Sequence, residues 1–580
     1  MRGLARPARV RVQSPEQAAS PGHAAASLDR AQALAGAPPR MRWWGWGDPE
    51  HGGALPPRAL GHLRETIGAL GLPQPPVALE QVLLPGCALG GEDLARLRSI
   101  VGAEHVRADH AERVLHAAGK GYPDLLAMRA GRPPSAPDAV VYPASRTQLA
   151  EVLGACSELS IAVVPFGGGT SVVGGLAALR GNHRAAIALE LARLEQPICL
   201  DESSRTVTAG AGTRVCALEQ WLGARGFTLG HFPQSYEYVS VGGCAATRSA
   251  GQASTGYGRF EQLVRGLRAS TPSGPIDLTP VPASAAGPSV RELLVGSEGT
   301  LAAIDELDLR VRPVAQARRY EGAFFPDFAQ GVAAMRGLAQ EGAEPTVARL
   351  SDESETSVSL QLSPGGASRR AGEAYLRLRG YAGGCLAILG FEGEHEDVER
   401  RRRRAREVLR AHAGLALGAS PGRSWLHSRF AAPYLRDELL THRVLVETLE
   451  TATQWSNLLE LHRRVGAAIA RVLAGCGTPG IVMCHVSHLY ETGASLYFTF
   501  FAPQLAGQEL EQWGAVKQEA CEAIVAGGGT ITHHHAIGRD HAGWLEREIG
   551  REGVRALRAL KDELDPAGIM NPGKLLPAPG

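Results

Sequence analysis

The stretch Pro165-Phe166-Gly167-Gly168-Gly169-Thr170-Ser171, continuing through Val172-Val173-Gly174-Gly175 to Leu176, decides how this chain is read. Three consecutive glycines cannot strengthen a helix or strand, because glycine gives up the most backbone freedom on ordering. They suit a loop whose backbone approaches a ligand closely and whose amides form a concave anion nest. The Thr170 and Ser171 hydroxyls would add donors to the same oxygens. A glycine run alone reads equally well as a surface turn, so the flanks decide. Residues 139–142 form a short apolar strand, and Ser145 with Gln148 fits a capping box. Leu149, Val152, Leu153 and Cys156 follow at helical spacing, and residues 161–164 are a strand that runs straight into the glycines. The unit is strand, helix, strand and phosphate-cradling loop. It has neither the Gly-Lys-Ser/Thr of a Walker loop nor the G-x-G-x-x-G that opens a dinucleotide-fold helix.

At 580 residues the chain is long enough for several domains. Sixty basic residues against fifty-nine acidic ones give no electrostatic case for nucleic acid. Nine cysteines without a C-x-x-C pair point to reduced thiols in a cytoplasmic setting, not to a disulfide frame, zinc or iron–sulfur. No apolar run approaches the ~20 residues of a membrane span. Residues 1–40 are Ala-, Pro- and Arg-rich without apolar periodicity and lack a signal-peptide core, so they are read as a disordered extension. Trp43, Trp44 and Trp46 then anchor a mostly helical region, 41–135. Residues 136–315 carry the glycine-rich loops, and 316–525 alternate strands with helices. The run Arg400-Arg401-Arg402-Arg403-Arg404 reads as the solvated face of a helix. Residues 526–580 close the chain.

The PFGGGTS loop, the later Gly296-Ser297-Glu298-Gly299-Thr300-Leu301-Ala302 and the closing Asn571-Pro572-Gly573-Lys574 together resemble the vanillyl-alcohol-oxidase-type FAD flavoproteins. The resemblance implies an α+β fold: a two-subdomain PCMH-type FAD-binding domain, an α+β cap over the flavin, and a C-terminal segment that returns to the flavin. It implies non-covalent FAD, held by Pro165, Phe166, Gly167, Gly168, Gly169, Thr170 and Ser171. Pro233, Gln234, Ser235 and Val239, then Ala246, Thr247, Arg248 and Ser249, and the loop Gly296 to Ala302 complete the implied cofactor contacts.

His533-His534-His535 follows Gly527-Gly528-Gly529-Thr530. On a strand, three adjacent histidines could not all point one way. Vicinal histidines rarely chelate one ion, and Cys484, His485 and His488 are weak additions, so no metal is expected. Hydroxyacid-oxidising relatives carry Gly-Glu-His-Gly here; the triplet instead is similar to the alkyldihydroxyacetonephosphate synthases. Singly, an arginine here would be a surface ion pair and Tyr497 a core aromatic. In family register, the resemblance makes Tyr497, His533, His534 and His535 catalytic and Arg436, Arg349 and His231 substrate-binding. Two departures stand out: Ala536 where the synthases have glycine, and Thr448-Leu449-Glu450-Thr451 where eukaryotic ones have Gly-Glu-Ser-Phe-Glu-Thr.

The implied reaction exchanges the acyl group of acyl-dihydroxyacetone phosphate for a fatty alcohol, with flavin N5 as a covalent template and no net redox change. For this, a neighbouring cation is expected to lower the Tyr497 phenol from its usual value of about 10. His534 or His535 is expected to titrate near neutrality. Fatty substrates imply an apolar tunnel and peripheral contact with a membrane, and the enzyme is expected to be a cytoplasmic homodimer with no nucleic-acid partner. The alternative on the same fold is an FAD-linked 2-hydroxyacid dehydrogenase or oxidase.

Overall fold

The computed structural model describes residues 41–48, 57–68, 70–195, 198–362 and 367–577; the expected disordered extension lies outside them. The glycine loop leaves a small sheet of order Val106–Arg107, Ala139–Val141, Ala185–Glu190 and Ile161–Phe166. The last three strands are parallel and fully or nearly fully buried, as strands covered on both faces must be. Helix Arg146–Leu159 makes the crossover, capped by Ser145 Oγ accepting from the Gln148 N–H. The Gln148 side chain accepts from Ala144 N–H, one residue before the reciprocal partner of an ideal capping box.

A second, antiparallel sheet runs Cys199–Asp201, Thr206–Gly210, Ala303–Arg310, Val264–Thr271 and Gly274–Leu278. Its buried Val207, Leu267, Leu307 and Leu309 pack on the helices Val215–Gly223 and Val241–Ala246. The third sheet has seven antiparallel strands in the order Leu415–Gly418, Ala317–Phe325, Cys385–Gly393, Val347–Ser351, Ile481–Leu489, Gly493–Pro503 and Val444–Gln454. Side chains alternate across a strand. Leu350, Leu389, Leu449, Cys484, Val486, Leu496 and Phe498 therefore form one face, packed on helices Phe328–Gln340, His395–Ala411, Leu458–Gly475 and Glu509–Ala526. The intervening Arg349, Ile388, Thr448, His485 and Tyr497 point the other way, into a cavity against the first two sheets.

The arginine run is a solvated face only in part: Arg400 and Arg403 are exposed, but Arg401 and Arg402 are not. Arg401 is buried and donates to the Glu344 and Glu392 carbonyls, and Arg402 pairs with Glu321 and Glu399. Two of the five thus pin the helix to its sheet.

The chain ends by returning to its first sheet. Val163 N–H donates to the Ile569 carbonyl and Asn571 N–H to the Val163 carbonyl, each at 2.8 Å. The Asn571 side-chain amide donates to the carbonyls of Gly175 and Glu298, and Lys574 to that of Ala177. Asn571 is 2% exposed, so water cannot replace these bonds. Asn571→Ala should lower unfolding free energy by about 1–3 kcal/mol, read as a lower urea midpoint at unchanged slope.

Candidate active site

Around the glycine loop, backbone geometry creates the donors. Among the described residues, no N–H from Gly167 to Val172 donates to a protein acceptor, although Gly169 is buried and its neighbours half-buried. Gly169 adopts φ +69°, and a Cβ at Gly168 would sit 2.3 Å from the Tyr238 carbonyl oxygen. Consecutive free amides on a cavity wall fit a diphosphate. The same cavity, about 1220 Å³, is lined by Pro165 to Ser171, by Pro233, Gln234, Ser235 and Val239, and by Ala246, Thr247 and Ser249. Glu298, Gly299 and Ala302 complete this part of the wall. The volume exceeds the ~300–1,000 Å³ typical of a single small-ligand site. Part of the wall that the cap contributes is apolar, with Ile388, Leu417, Leu439, Val446, Met483 and Phe501.

Several residues assigned to the cofactor by resemblance stand behind the wall. Gly296, Ser297, Thr300 and Leu301 are absent from it; Gly296 and Glu298 donate N–H groups to Ala245 and Ala246, which docks the loop on the helix Val241–Ala246. The Arg248 guanidinium turns away to Glu292, donating to its carbonyl at 2.7 Å. His231 is corrected too. It is 0% exposed and off the cavity wall, with Nε2 3.1 Å from Ser249 Oγ and its ring against Phe260, so it backs a cavity residue and cannot reach a ketone.

Tyr497, His534 and His535 are brought together. The Tyr497 ring stacks near His534 at 5.9 Å and meets His535 edge-on at 5.6 Å. His533 lies off the wall, behind the other two, with Nε2 bonded to the Tyr490 hydroxyl. The histidines form a bend instead of a strand, and the cause is Glu450. This carboxylate, 2% exposed, accepts backbone N–H bonds from His533, His534 and His535, and the Thr532 hydroxyl donates to it at 2.7 Å. Next along the loop, Ile537 and Gly538 donate N–H to the Glu298 carboxylate at 2.9 and 2.7 Å. Ala536, between His535 and Ile537, takes φ +75°, a left-handed turn that explains why glycine is favoured there.

Sequence reasoning treated Glu450 only as part of a divergent segment. The signal available was an acid at an inward-facing strand position, which is rare unless the acid is bonded.

Electrostatics overturns two expectations. Burial pushes the Tyr497 phenol up to about 12, where a lowering was expected; Arg436 is too minor an influence to reverse it. Burial also lowers all three histidines, His533 well below the ordinary imidazole value and His534 to about 3, so His534 does not titrate near neutrality as expected. Burial opposes the charge of Glu450, but the histidine loop and Thr532 outweigh it and hold its pKa well below the ordinary carboxylate value.

His488, His533 and His534 bring ring nitrogens within 4.8 Å of one another. Those nitrogens already face the Gly251 carbonyl, Ser487, Tyr490 and each other. Arg436 contrasts with this saturation. It gives Nη1 to the Lys120 carbonyl at 2.7 Å, and among the described residues its Nε and Nη2 have no partner. A cation left with unfilled donors on a cavity wall fits an anion.

Comparison with known proteins agrees with this geometry. Residues 137–278 match the model of an FAD binding domain, and residues 314–575 that of the C-terminal domain of FAD linked oxidases. Alkyldihydroxyacetonephosphate synthase of Dictyostelium discoideum is 29% identical, over 93% of this chain and 94% of its own. That of Trypanosoma brucei brucei is 31% identical, over 87% and 84%. A solved structure of an alkyldihydroxyacetonephosphate synthase superposes with a TM-score of 0.80 at 28% identity, covering 92% of this chain and 98% of that one.

Glu450 has a depressed native pKa, so its contribution to stability is present above its unfolded value of about 4.5 and is lost as pH falls below that. Glu450→Gln should therefore cost about 3 kcal/mol at neutral pH. The gap between parent and variant, followed by urea unfolding, should narrow steadily as pH falls below about 4.5.

Proposed function

Because this chain belongs to the alkyldihydroxyacetonephosphate synthase family, we propose that it replaces the acyl group of acyl-dihydroxyacetone phosphate with a fatty alcohol, making an ether without net redox change. FAD is its cofactor. The free amides of the triple-glycine loop hold its diphosphate without a covalent link. Bound FAD supplies a ring nitrogen able to hold the substrate carbon while one oxygen substituent replaces another.

The observation that carries this reading is the contact of Tyr497 with His534 and His535 on the cavity that the glycine loop also lines. A phenol with pKa near 12 keeps its proton at neutral pH, and the His534 imidazole, this far below its usual value, stays unprotonated. An acid and a base thus stand ring to ring. A neutral imidazole accepts the proton from the substrate carbon, and the phenol holds one for return. Arg436 receives the phosphate through Nε and Nη2, and the apolar cap wall takes a fatty chain. On the helix Ala367–Leu378, Leu376 lines the cavity while Tyr375 and Leu378 are 46% and 87% exposed, with Arg370, Arg377 and Arg379 nearby in the chain. Exposed apolar side chains interspersed with arginines suit an anionic lipid surface, from which such substrates come.

Purified holoenzyme given palmitoyl-dihydroxyacetone phosphate and labelled hexadecanol should place label in an ether without consuming oxygen. Flavin bleaching by D-lactate or glycolate, with no ether formed, would refute this. Tyr497→Phe should lose about 10²–10⁴-fold in turnover and stay yellow. Gly168→Asp, which sets a side chain against the Tyr238 carbonyl and a charge against the diphosphate, should be colourless. Between about pH 4 and 11, kcat should show no limb from Tyr497 or His534; a limb near pH 6 belongs to the substrate phosphate.

A further inference from the structure

Arg349 resembles a substrate arginine by family register, yet its surroundings differ from those of Arg436. Its Nη1 lies 2.9 Å from His485 Nε2, and its Nη2 donates to Glu355 Oε1 at 2.6 Å. A guanidinium has donors only and keeps its proton. His485 Nε2 must therefore be the accepting nitrogen, and the proton of the neutral ring sits on Nδ1. That nitrogen lies 3.1 Å from the same Glu355 oxygen, so it donates there. Burial, seconded by the Arg349 charge, lowers the His485 pKa and keeps the ring neutral.

The three side chains come from strand Val347–Ser351, helix Glu353–Leu362 and strand Ile481–Leu489. Their closed ring of bonds permits one tautomer in one plane. Tyr497 stacks over the face of the His485 imidazole. It is the direct cross-strand neighbour of His485, with ring centroids 4.9 Å apart and planes 24° from parallel. His534 and His535 contact Tyr497 from the C-terminal loop, and Glu450 pairs with it from strand Val444–Gln454. The phenol is thus held on one side by a locked imidazole and approached on the others by the groups it works with.

We propose that Arg349 and Glu355 are positioning residues that act through His485 to fix the plane of the Tyr497 ring, and that Arg349 takes no part in binding the substrate's phosphate. The inference rests on the reading of Tyr497 as proton carrier and of Arg436 as phosphate ligand. It separates two arginines that sequence alone places in one class. Arg349 has spent its fork on a carboxylate and an imidazole; Arg436 has not.

The test uses FAD-loaded full-length protein and two readouts: kcat for ether formation, and the dissociation constant of dihydroxyacetone phosphate from perturbation of the flavin spectrum. Arg349→Met should lose about 10²-fold in kcat, the cost of a misplaced reacting group, with the dissociation constant unchanged. Arg436→Met should weaken binding by about tenfold to a hundredfold. His485→Ala should lose kcat to a similar extent as Arg349→Met, and the double variant should lose no more than the worse single one, because both act on one ring. Arg349→Met leaves Glu355 buried without its cation, so Arg349→Met/Glu355→Gln, which removes both charges, carries the same test if the single variant fails to fold. Weakened phosphate binding in the Arg349 variants, or kcat losses that multiply in the double variant, would overturn the inference. If Arg436→Met left binding unchanged, the phosphate assignment to Arg436 would fall, while the Arg349–His485 coupling would still decide this one.

Discussion

Two buried carboxylates from different parts of the molecule grip one six-residue loop, and the site exists because they do. Glu450, on the cap sheet, takes the backbone amides of His533, His534 and His535; Glu298, on the glycine-rich domain, takes those of Ile537 and Gly538. A carboxylate out of water costs several kcal/mol unless its lone pairs are filled. Each carboxylate therefore needs the loop as much as the loop needs the carboxylates. The arrangement of the histidines thus draws on both domains and on the C-terminal segment that lies between them. Its return is held further along by Asn571 and by the bridge to Val163.

The same burial that makes these grips necessary sets the chemistry. In a cavity walled by side chains, the charged form of every titrating group is penalised, so phenol moves up and imidazole moves down. The expectation of a cation-activated tyrosine and a histidine poised at neutrality reverses. What results is a protonated acid and an unprotonated base in ring contact, which suits a reaction that moves a proton off and back onto one carbon without net charge change. The buried carboxylates divide likewise. Glu450, outweighed by its donors, stays anionic well below the ordinary range, whereas burial lifts Glu298 to about 7 despite its two amides.

Much of the site could be read from local pattern. The triple glycine, the apolar strand before it and the Ser145 cap each act within a few residues, and they settled the phosphate-cradling unit. The strands Gly493–Pro503 and Ile481–Leu489 of the folded protein then set Tyr497 and His485 on the face opposite Leu496 and Cys484. Other features lay beyond such patterns. His231 and Arg248 have the right residue types in the right neighbourhood, yet one is sealed behind Ser249 and the other turned to Glu292. The arginine run looked like a polar face, but the bonds that draw Arg401 and Arg402 inward reach Glu344 in a loop and Glu321 on a strand, 57 and 81 residues away.

By itself, then, the sequence determined the glycine loop, the order of strands and helices that delivers it, and the family in which its motifs stand in register. These follow from backbone freedom and side-chain periodicity, which are local. Only the tertiary structure decided which arginine is free and which is spent, that Glu450 shapes the histidine loop, and on which side of neutrality each titrating group falls. Those depend on burial and on hydrogen-bond partners drawn from distant parts of the chain, and no local pattern records either.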